Sequence, residues 1–467
     1  MHIKIHKGFD INIPNAAKTY VATCNTTTTY AVKPTDFVGL VPKLLVEEGS
    51  RVTVGSPLFF DKRLPSVMHT SPVNGFVKSI IRGDKRKLLA VVVENDGTAV
   101  STEGDKAVTN ASLNELKAQM CKVGLWAALR QRPFGIVPNP DDTPKAIFIN
   151  ACESAPLSPN PLFVLEGREQ EFCAGVKTLA KLTNGKVHLC GRSTFFTGLL
   201  KKALDETMAQ CNSINTHTVE GPHPAGNVGT QIAAIDPINK GETVWTMAVQ
   251  DVAVLGHWVM TGEYRPVKRF ALAGPEVRMP RYYEAPQGIC LHNILQEQLI
   301  HAEHIRIISG NILTGTTIGK DDFIGVSDTL VSVIPEGDTY DFMGWLLPGV
   351  KKLSFSNTFL SGFLKSLPKN VRDTIENHLP PAIDTNVHGG VRPLVFNGNF
   401  EKVFPFRIYP LQLIKAAIIG DIELMENLGI YEVEPEDFAL CEFIDPSKTE
   451  IQDIIRQALE TIRKESL

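Results

Sequence analysis

Residues 123–140, with the sequence VGLWAALRQRPFGIVPNP, bring arginine and aromatic side chains together. They stand at the entry to a region of alternating strand and helix patterns, where a nucleotide or flavin phosphate would need a glycine-rich loop. Bulky side chains fill that space instead, so flavin binding of the usual kind is disfavoured. Arginine and tryptophan are favoured binding anchors. We therefore predict a surface for a quinone head or a protein partner, formed by Trp126, Arg130, Arg132 and Phe134. A helix end with solvated arginines is the alternative.

A second candidate is His223, in the loop sequence EGPHPAGNVGTQI of residues 220–232. The loop follows a predicted strand, and α/β sheets often place ligands at such strand ends. A structural or solvated histidine is the alternative interpretation. The sequence offers no matching set of His, Asp or Glu at metal spacing, so no metal site is predicted.

Lys62 raises a third possibility, because the segment of residues 48–80 has features of carrier domains that bear biotin or lipoate on a lysine. Such a lysine must project from the tip of a tight hairpin. Here residues 63–70, which include Pro65, separate Lys62 from Ser71, so we expect a longer and stiffer turn. A rigid barrel-sandwich with a structural role is predicted, and a modified Lys62 is the alternative.

The eight cysteines are scattered and never form a C-x-x-C motif. They are predicted to be mostly buried thiols in a reduced, cytoplasmic setting. Near the end of the chain, the sequence ALCEFIDPSKTEI contains only Cys441. An iron-sulfur cluster needs several cysteines, so none is expected there.

The elements that position these residues fall into four predicted domains. Short strands broken by Gly, Pro and Asn indicate a β domain within residues 1–100. Alternating strands and helices over 101–257 predict an α/β domain with a mainly parallel sheet. Residues 258–336 are predicted to form a small α+β module of the β-grasp type. Residues 337–467 form a linker and a helical segment, whose last helix carries an apolar stripe and a predicted capping box of Ser447 and Glu450.

Composition excludes several classes of protein. The net charge is −4, from 47 basic and 51 acidic residues, and there is no Lys/Arg block, so nucleic acid is not expected as the main partner. No run of 18 apolar residues is present and the first residues lack the apolar core of a secretion signal. A chain that attaches to a membrane only through partners is expected.

Six separated stretches together resemble one family over nearly the full length of the chain: IKIHKGFDINI, DKRLPSVMHTSPVNGFVKSIIRGDKRKLL, GLWAALRQRPF, GPHPAGNVGTQI, FALAGPEVRMPRYYEAPQG and ALCEFIDPSKTEI. The family comprises the A subunits of the bacterial Na⁺-translocating NADH:quinone reductase. It is similar to the C subunit of the Rnf electron-transport complex and to the flavin-bearing NADH-binding subunit of complex I. Those relatives carry a glycine-rich flavin loop and a cysteine-rich motif that are missing here, and Asp445 stands where many family members have Cys.

The resemblance implies a biotinyl/lipoyl-like barrel-sandwich, a Rossmann-like α/β domain without the flavin loop, an SLBB-like β-grasp domain and a C-terminal helical domain without a cluster. It implies a peripheral subunit on the cytoplasmic side of the bacterial inner membrane, with five other subunits as partners, chiefly the membrane-embedded B subunit. The complex oxidises NADH, reduces ubiquinone and exports Na⁺. Na⁺ passage needs intramembrane carboxylates and is expected in other subunits.

By the same resemblance, flavins and iron-sulfur centres belong to other subunits, and this chain is expected to bind no cofactor and to have no catalytic or metal-binding residue. Ubiquinone contact is a further expectation, assigned to Trp126, Arg130, Arg132, Phe134 and His223. The alternative function is an autonomous flavin-dependent NADH dehydrogenase related to the flavoprotein of complex I.

Overall fold

The computed structural model describes residues 1–23, 28–98, 111–338 and 383–465, with the single positions 352, 355 and 368. Cys24, the predicted domain boundary near residue 100 and most of the predicted linker after residue 337 lie outside these residues. The described chain contains a barrel-sandwich, an α/β unit, a β-grasp unit and a C-terminal group of helices.

The elements are numbered in chain order. The strands are β1 His2–Lys4, β2 Lys18–Ala22, β3 Thr29–Val32, β4 Pro42–Leu44, β5 Arg51–Val52, β6 Pro57–Asp61, β7 Leu64–Thr70, β8 Gly75–Arg82, β9 Leu88–Asn95, β10 Arg130–Arg132, β11 Ala146–Ala151, β12 Lys186–Gly191, β13 Ile214–Glu220, β14 Val244–Ala248, β15 Val267–Ala273, β16 Arg281–Pro286, β17 Ile305–Ser309, β18 Thr316–Ile318 and β19 Leu330–Pro335. The helices are α1 Leu113–Val123, α2 Pro161–Leu165, α3 Glu169–Leu179, α4 Gly198–Gln210, α5 Val228–Ile235, α6 Val249–Thr261, α7 His292–Gln298, α8 Phe400–Val403, α9 Pro410–Ile419, α10 Ile422–Asn427, α11 Ala439–Ile444 and α12 Ile451–Glu465.

The α/β unit is built on a six-stranded sheet with the order β1-β13-β12-β11-β14-β10. Neighbouring strands run parallel except β10, which is antiparallel to β14. Along β11, Ile147 and Ile149 join the core that includes residues of α3, α4 and α6, whereas Phe148 packs on the other face with Ile232 of α5. Helices thus cover both faces, as parallel sheets require. The prediction of an α/β unit with a mainly parallel sheet is confirmed.

The barrel-sandwich consists of two small sheets, β3-β9-β8-β5 and β4-β6-β7. The interpretation of residues 63–70 as a long, stiff turn is wrong, because β6 ends at Asp61 and β7 begins at Leu64. Pro65 lies inside β7, which is an edge strand and so does not need every N–H. Lys62 and Arg63 therefore form the tip of a tight hairpin.

The β-grasp unit is a sheet with the order β18-β17-β19-β15-β16-β2 and the helix α7. The prediction of a small α+β module in this region is confirmed. The N-terminal segment ties the units together: β1 extends the α/β sheet, β2 extends the β-grasp sheet, and Ile11 lies in the core of the C-terminal helices.

The last helix, α12, buries the apolar stripe that its periodicity predicts, namely Ile451, Ile455, Ala458, Leu459 and Ile462. The predicted capping box is wrong, because the Ser447 hydroxyl donates to the Pro393 carbonyl oxygen instead. Asp445 accepts hydrogen bonds from the backbone N–H groups of Ser447 and Thr449, each at 3.0 Å. This carboxylate therefore organises the turn that leads into the helix.

Candidate functional site

The structure places Trp126 in the core. Its side chain is fully buried, and its Nε1 donates to the Pro138 carbonyl oxygen at 2.8 Å. Its ring meets that of Trp245 edge to face, with centroids 5.4 Å apart. The indole thus supports the α/β unit from within, and it is not part of an accessible surface.

Arg130 joins three units of the fold. Its Nη1 donates to the Ala127 carbonyl oxygen at 2.6 Å, and its Nη2 donates to the Ser327 hydroxyl at 3.1 Å. The guanidinium lies over the ring of Phe37, 5.0 Å from its centroid. Burial lowers the pKa of Arg130, while the carboxylates of Asp251 and Asp36 oppose that change. The Arg130 guanidinium therefore makes its hydrogen bonds and its ring contact with other residues of the chain.

Arg132 forms a buried ion pair with the C-terminal helical segment. Its Nη1 donates to Asp437 Oδ2 at 3.0 Å, and its Nη2 donates to Glu436 Oε1. Asp437 is 2% exposed and Arg132 is 4% exposed. Burial by itself would lower the pKa of Arg132, but the carboxylates of Asp437 and Glu436 have the larger combined effect and raise this pKa. Burial raises the pKa of Asp437 to about 6.

This ion pair lies beside the N-terminus of α5 in the α/β unit. Gly229 lies in the first turn of α5, and a Cβ atom added there would be 2.5 Å from both carboxylate oxygens of Asp437 and from Arg132 Nη1. Helix N-termini favour anions. Here the chain's own carboxylate fills that position, so the residues present do not fit a nucleotide or flavin phosphate.

His223 lies in the same region but is enclosed. Its side chain is 3% exposed, and its Nδ1 is 2.9 Å from the Ser154 hydroxyl oxygen. Its backbone N–H donates to Asp10 Oδ1 at 2.8 Å. Burial lowers its pKa to about 4, so the imidazole is neutral near pH 7. The structure does not bring His223 together with Phe134 around one cavity.

A cavity of about 430 Å³ lies between the barrel-sandwich, the α/β unit and the last helix, and is called the junction cavity below. Its volume is within the range of small-molecule sites. Phe134, the one predicted site residue that lines it, follows β10. Among the other lining residues, seven are hydrophobic, seven are polar or charged and one is glycine: Phe37, Val38, Gly39, Leu40, Asp61, Arg63, Leu64, Val67, His69, Gln131, Ile136, Val137, Asn139, Asp142 and Arg463.

Two buried polar side chains in the cavity wall have unused hydrogen-bonding atoms. His69 Nδ1 and Gln131 Oε1 have no hydrogen-bond partner among the described residues. His69 is 3% exposed and Gln131 is 8% exposed. Burial, helped by the charge of Arg130, lowers the pKa of His69 to about 3, so its imidazole is neutral. Buried polar atoms are normally paired, and these two are exceptions in the cavity wall.

Sequence reasoning missed His69 and Gln131. His69 lies two positions after the buried Val67 on β7, and alternation along a strand puts both on one face. The ring of His69 stacks on Phe59, with centroids 4.8 Å apart, and meets Phe37 edge to face at 4.2 Å. The alternation along β7 is therefore the one sequence signal of a buried histidine, and nothing in the sequence brings Gln131 into the same cavity wall.

Metal and cluster sites have no support in the described part of the chain. No group of three or more His, Cys, Asp or Glu side chains there is arranged to hold a metal ion. Cys441 is buried, and burial raises its pKa well above the usual range. All the described cysteines are free, and all but Cys211 are buried. Residues 1–23, 28–98, 111–338 and 383–465 also include no helix long and apolar enough to cross a membrane.

Models of one protein family match the chain in three places. Residues 3–96 match the NqrA N-terminal barrel-sandwich hybrid domain, residues 111–264 match the NqrA second alpha/beta domain, and residues 270–320 match the NQRA C-terminal domain, of the SLBB type. The A subunit of the Na(+)-translocating NADH-quinone reductase from Rhodopirellula baltica is 35% identical over 99% of this chain and 98% of its own length. The chain belongs to this family of A subunits.

Other A subunits of the family are similarly close. The protein from Neisseria meningitidis serogroup A is 35% identical over 99% of this chain and all of its own length, and so is the protein from Histophilus somni. Among solved structures, the crystal structure of an NAD⁺-reducing [NiFe]-hydrogenase in the air-oxidized state covers 78% of this chain and 69% of its own, at 13% identity and a TM-score of 0.39. That likeness supports no statement about this chain.

Proposed function

We propose that this chain is the peripheral A subunit of a Na⁺-translocating NADH:quinone reductase complex on the cytoplasmic side of the inner membrane. The observation that carries the proposal is the 35% identity over nearly the full length to proteins of that name. The finer assignments belong to the same proposal: a Rossmann-like α/β domain, a helical C-terminal domain, the predicted domain boundaries, and five partner subunits with the membrane-embedded B subunit foremost.

The proposal gives the chain no flavin or cluster of its own. Its support is the α5 N-terminus, where Asp437 and Arg132 fill the space next to Gly229. The chain then serves to assemble and position the complex, while NADH oxidation takes place on other subunits. Membranes made without this chain should lose sodium-stimulated NADH:quinone activity and regain it when the purified chain is added. Membranes that keep full activity without the chain would contradict the proposal.

We also propose that ubiquinone contacts this chain at the junction cavity, with Phe134 as the one residue shared with the site predicted from sequence. The hydrophobic residues of the wall, among them Phe37, Leu64 and Ile136, suit a quinone ring. A quinone carbonyl can accept a hydrogen bond from His69 Nδ1, and a quinol hydroxyl can donate to Gln131 Oε1. The two unused atoms thus suit both redox states of the ligand. Trp126, Arg130, Arg132 and His223 would support the surrounding structure without touching it.

Titration of the purified chain with a short-chain ubiquinone tests this placement by calorimetry. His69→Phe keeps a ring between Phe37 and Phe59 and removes the nitrogen atoms, and Gln131→Leu removes the amide. Each loses one hydrogen bond in a buried site, so binding should weaken by about three- to tenfold. His188→Phe is the control, because His188 is another buried histidine stacked on a phenylalanine, outside this cavity. Unchanged affinity in both cavity variants would refute the placement.

A further inference from the structure

Two arginines from distant parts of the chain line the junction cavity beside Gly39, and this part of the wall is called its mouth below. Arg63 lies at the tip of the β6–β7 hairpin, and Arg463 lies near the end of α12. Arg63 Nη1 donates to the Gly39 carbonyl oxygen at 3.4 Å. Arg463 reaches the same glycine from another side, since a Cβ atom on Gly39 would be 2.7 Å from its Nη2. Both guanidinium groups therefore converge on one short stretch of backbone.

The hairpin tip that carries Arg63 is held in place. The Asp61 carboxylate accepts hydrogen bonds from the backbone N–H groups of Val41 at 3.2 Å and of Arg63 at 3.0 Å. The Lys62 backbone N–H donates to the Val41 carbonyl oxygen at 2.9 Å. The Asp-Lys-Arg sequence, which resembles a carrier tip, thus forms a fixed turn that presents Arg63 to the cavity.

The two arginines have no carboxylate partner in the described part of the chain. In the described ranges, no carboxylate oxygen lies within 4.0 Å of a guanidinium nitrogen of Arg63 or Arg463. Burial and the positive charge of Arg63 lower the pKa of Arg463, while the more distant carboxylates of Glu460 and Asp61 oppose the change. Asp142 is the other acidic residue in the cavity wall. Like charges held together in this way are unfavourable unless an anion bridges them.

We propose that Arg63 and Arg463 bind a phosphate group at the mouth of the junction cavity. Guanidinium groups match phosphate geometry, and a tetrahedral anion offers separate oxygens to donors that approach from different sides. The rest of the wall offers hydrophobic side chains and the Asp142 carboxylate, which do not favour an anion, so the phosphate stays beside the two arginines. Its source is a phospholipid head group or a free phosphate, since both present the same oxygens to the arginines.

The bound phosphate would also link two units of the fold. Arg63 belongs to the barrel-sandwich and Arg463 to the C-terminal helices, and a shared anion would join them across the opening. A ligand inside the cavity would then leave more slowly. This consequence rests on the proposed quinone site, whereas the phosphate site itself does not.

The experiment compares two double variants of the full chain that remove the same charge. Arg63→Gln with Arg463→Gln removes the proposed site. Lys62→Gln with Lys464→Gln changes the neighbouring residues, both exposed, which do not line the cavity. Inorganic phosphate is titrated into each protein by calorimetry without quinone, in sodium chloride of matched ionic strength. Phosphate binding should weaken by at least about tenfold in the arginine variant, because two charged hydrogen-bond donors are lost. It should change by less than about twofold in the lysine variant.

A second set of measurements identifies the source of the phosphate. Sedimentation uses vesicles of phosphatidylcholine with and without phosphatidylglycerol. If the arginine variant alone no longer binds the phosphatidylglycerol vesicles, the site is assigned to lipid. If the arginine variant no longer binds phosphate but still binds the vesicles as the wild-type chain does, the site is assigned to free phosphate. The proposal is overturned if the wild-type chain binds phosphate no better than chloride, or if both double variants lose binding equally. A failed quinone titration leaves these results unaffected, so the two proposals fail separately.

Discussion

Glu434 provides a measurable test of the buried charge network between the α/β unit and the C-terminal helices. The residue is 4% exposed, and its Oε2 accepts a hydrogen bond from Arg456 Nη2 at 3.2 Å. Burial raises the pKa of Glu434 from 4.5 to about 7. Arg132 and Arg456 oppose the change, and the carboxylates of Glu436 and Asp437 add to it.

The sign of the pH dependence follows from these values. Because the pKa of Glu434 is higher in the folded state, the folded chain holds this proton more tightly than the unfolded chain does. That stabilisation is complete below the ordinary pKa of 4.5 and is lost as the pH rises towards 7. One pKa unit corresponds to about 1.36 kcal/mol. Between about pH 5.5 and 7, Glu434 should therefore lower the free energy of unfolding by roughly 2 kcal/mol.

Glu434→Gln keeps the shape of the side chain and abolishes its titration. The free energy of unfolding is measured in urea for the wild-type chain and the variant at pH 5.5 and at pH 7.5. From the lower to the higher pH, the free energy of unfolding of the variant should rise by about 2 kcal/mol relative to that of the wild type. Glu450→Gln, which changes an exposed glutamate just before α12, is the control. The reasoning would be refuted if the difference in free energy of unfolding between wild type and Glu434→Gln were the same at both pH values. It would also be refuted if Glu450→Gln showed the same pH-dependent change.

Three further predictions concern single residues. Gly229→Ala should lower stability by about 1–3 kcal/mol in urea unfolding, because its Cβ would meet the Asp437 carboxylate at 2.5 Å; unchanged stability would contradict this. Asp445→Ala should cost about 1 kcal/mol, since it removes hydrogen bonds to Ser447 and Thr449, and Asp453→Ala in α12 serves as a matched control. A chain made in a host with biotinylating and lipoylating enzymes should have the unmodified mass, and added mass at Lys62 would disprove the structural role of the hairpin.

Local patterns in the sequence were sufficient for most of the elements. Short strands broken by Gly, Pro and Asn predict the β domain that contains β8 and β9, and Ser112 and Glu115 form a capping box at the start of α1. The apolar stripe of α12 is buried as predicted. These features depend on neighbours within one or two turns of the chain, and so they are readable without the tertiary structure.

The candidate site depends on contacts between distant residues. Arg132 and Asp437 are 305 positions apart, and no local pattern shows that one fills the space beside the other. Tryptophan is a common anchor residue at binding surfaces, but the indole N–H of Trp126 donates to the Pro138 carbonyl oxygen inside the core. The junction cavity combines the barrel-sandwich, β10 and the last helix, so its polar atoms become recognisable only when the units are packed together.

The most direct test of the proposed function is affinity purification of the tagged chain from its native membranes in mild detergent, with identification of the proteins that accompany it. We expect flavin-bearing membrane subunits and NADH:quinone activity to co-purify with the chain. We also expect the chain, once separated from them, to show no flavin absorbance. Recovery of the chain alone, with bound flavin and its own NADH oxidation, would contradict the proposal and favour an autonomous dehydrogenase.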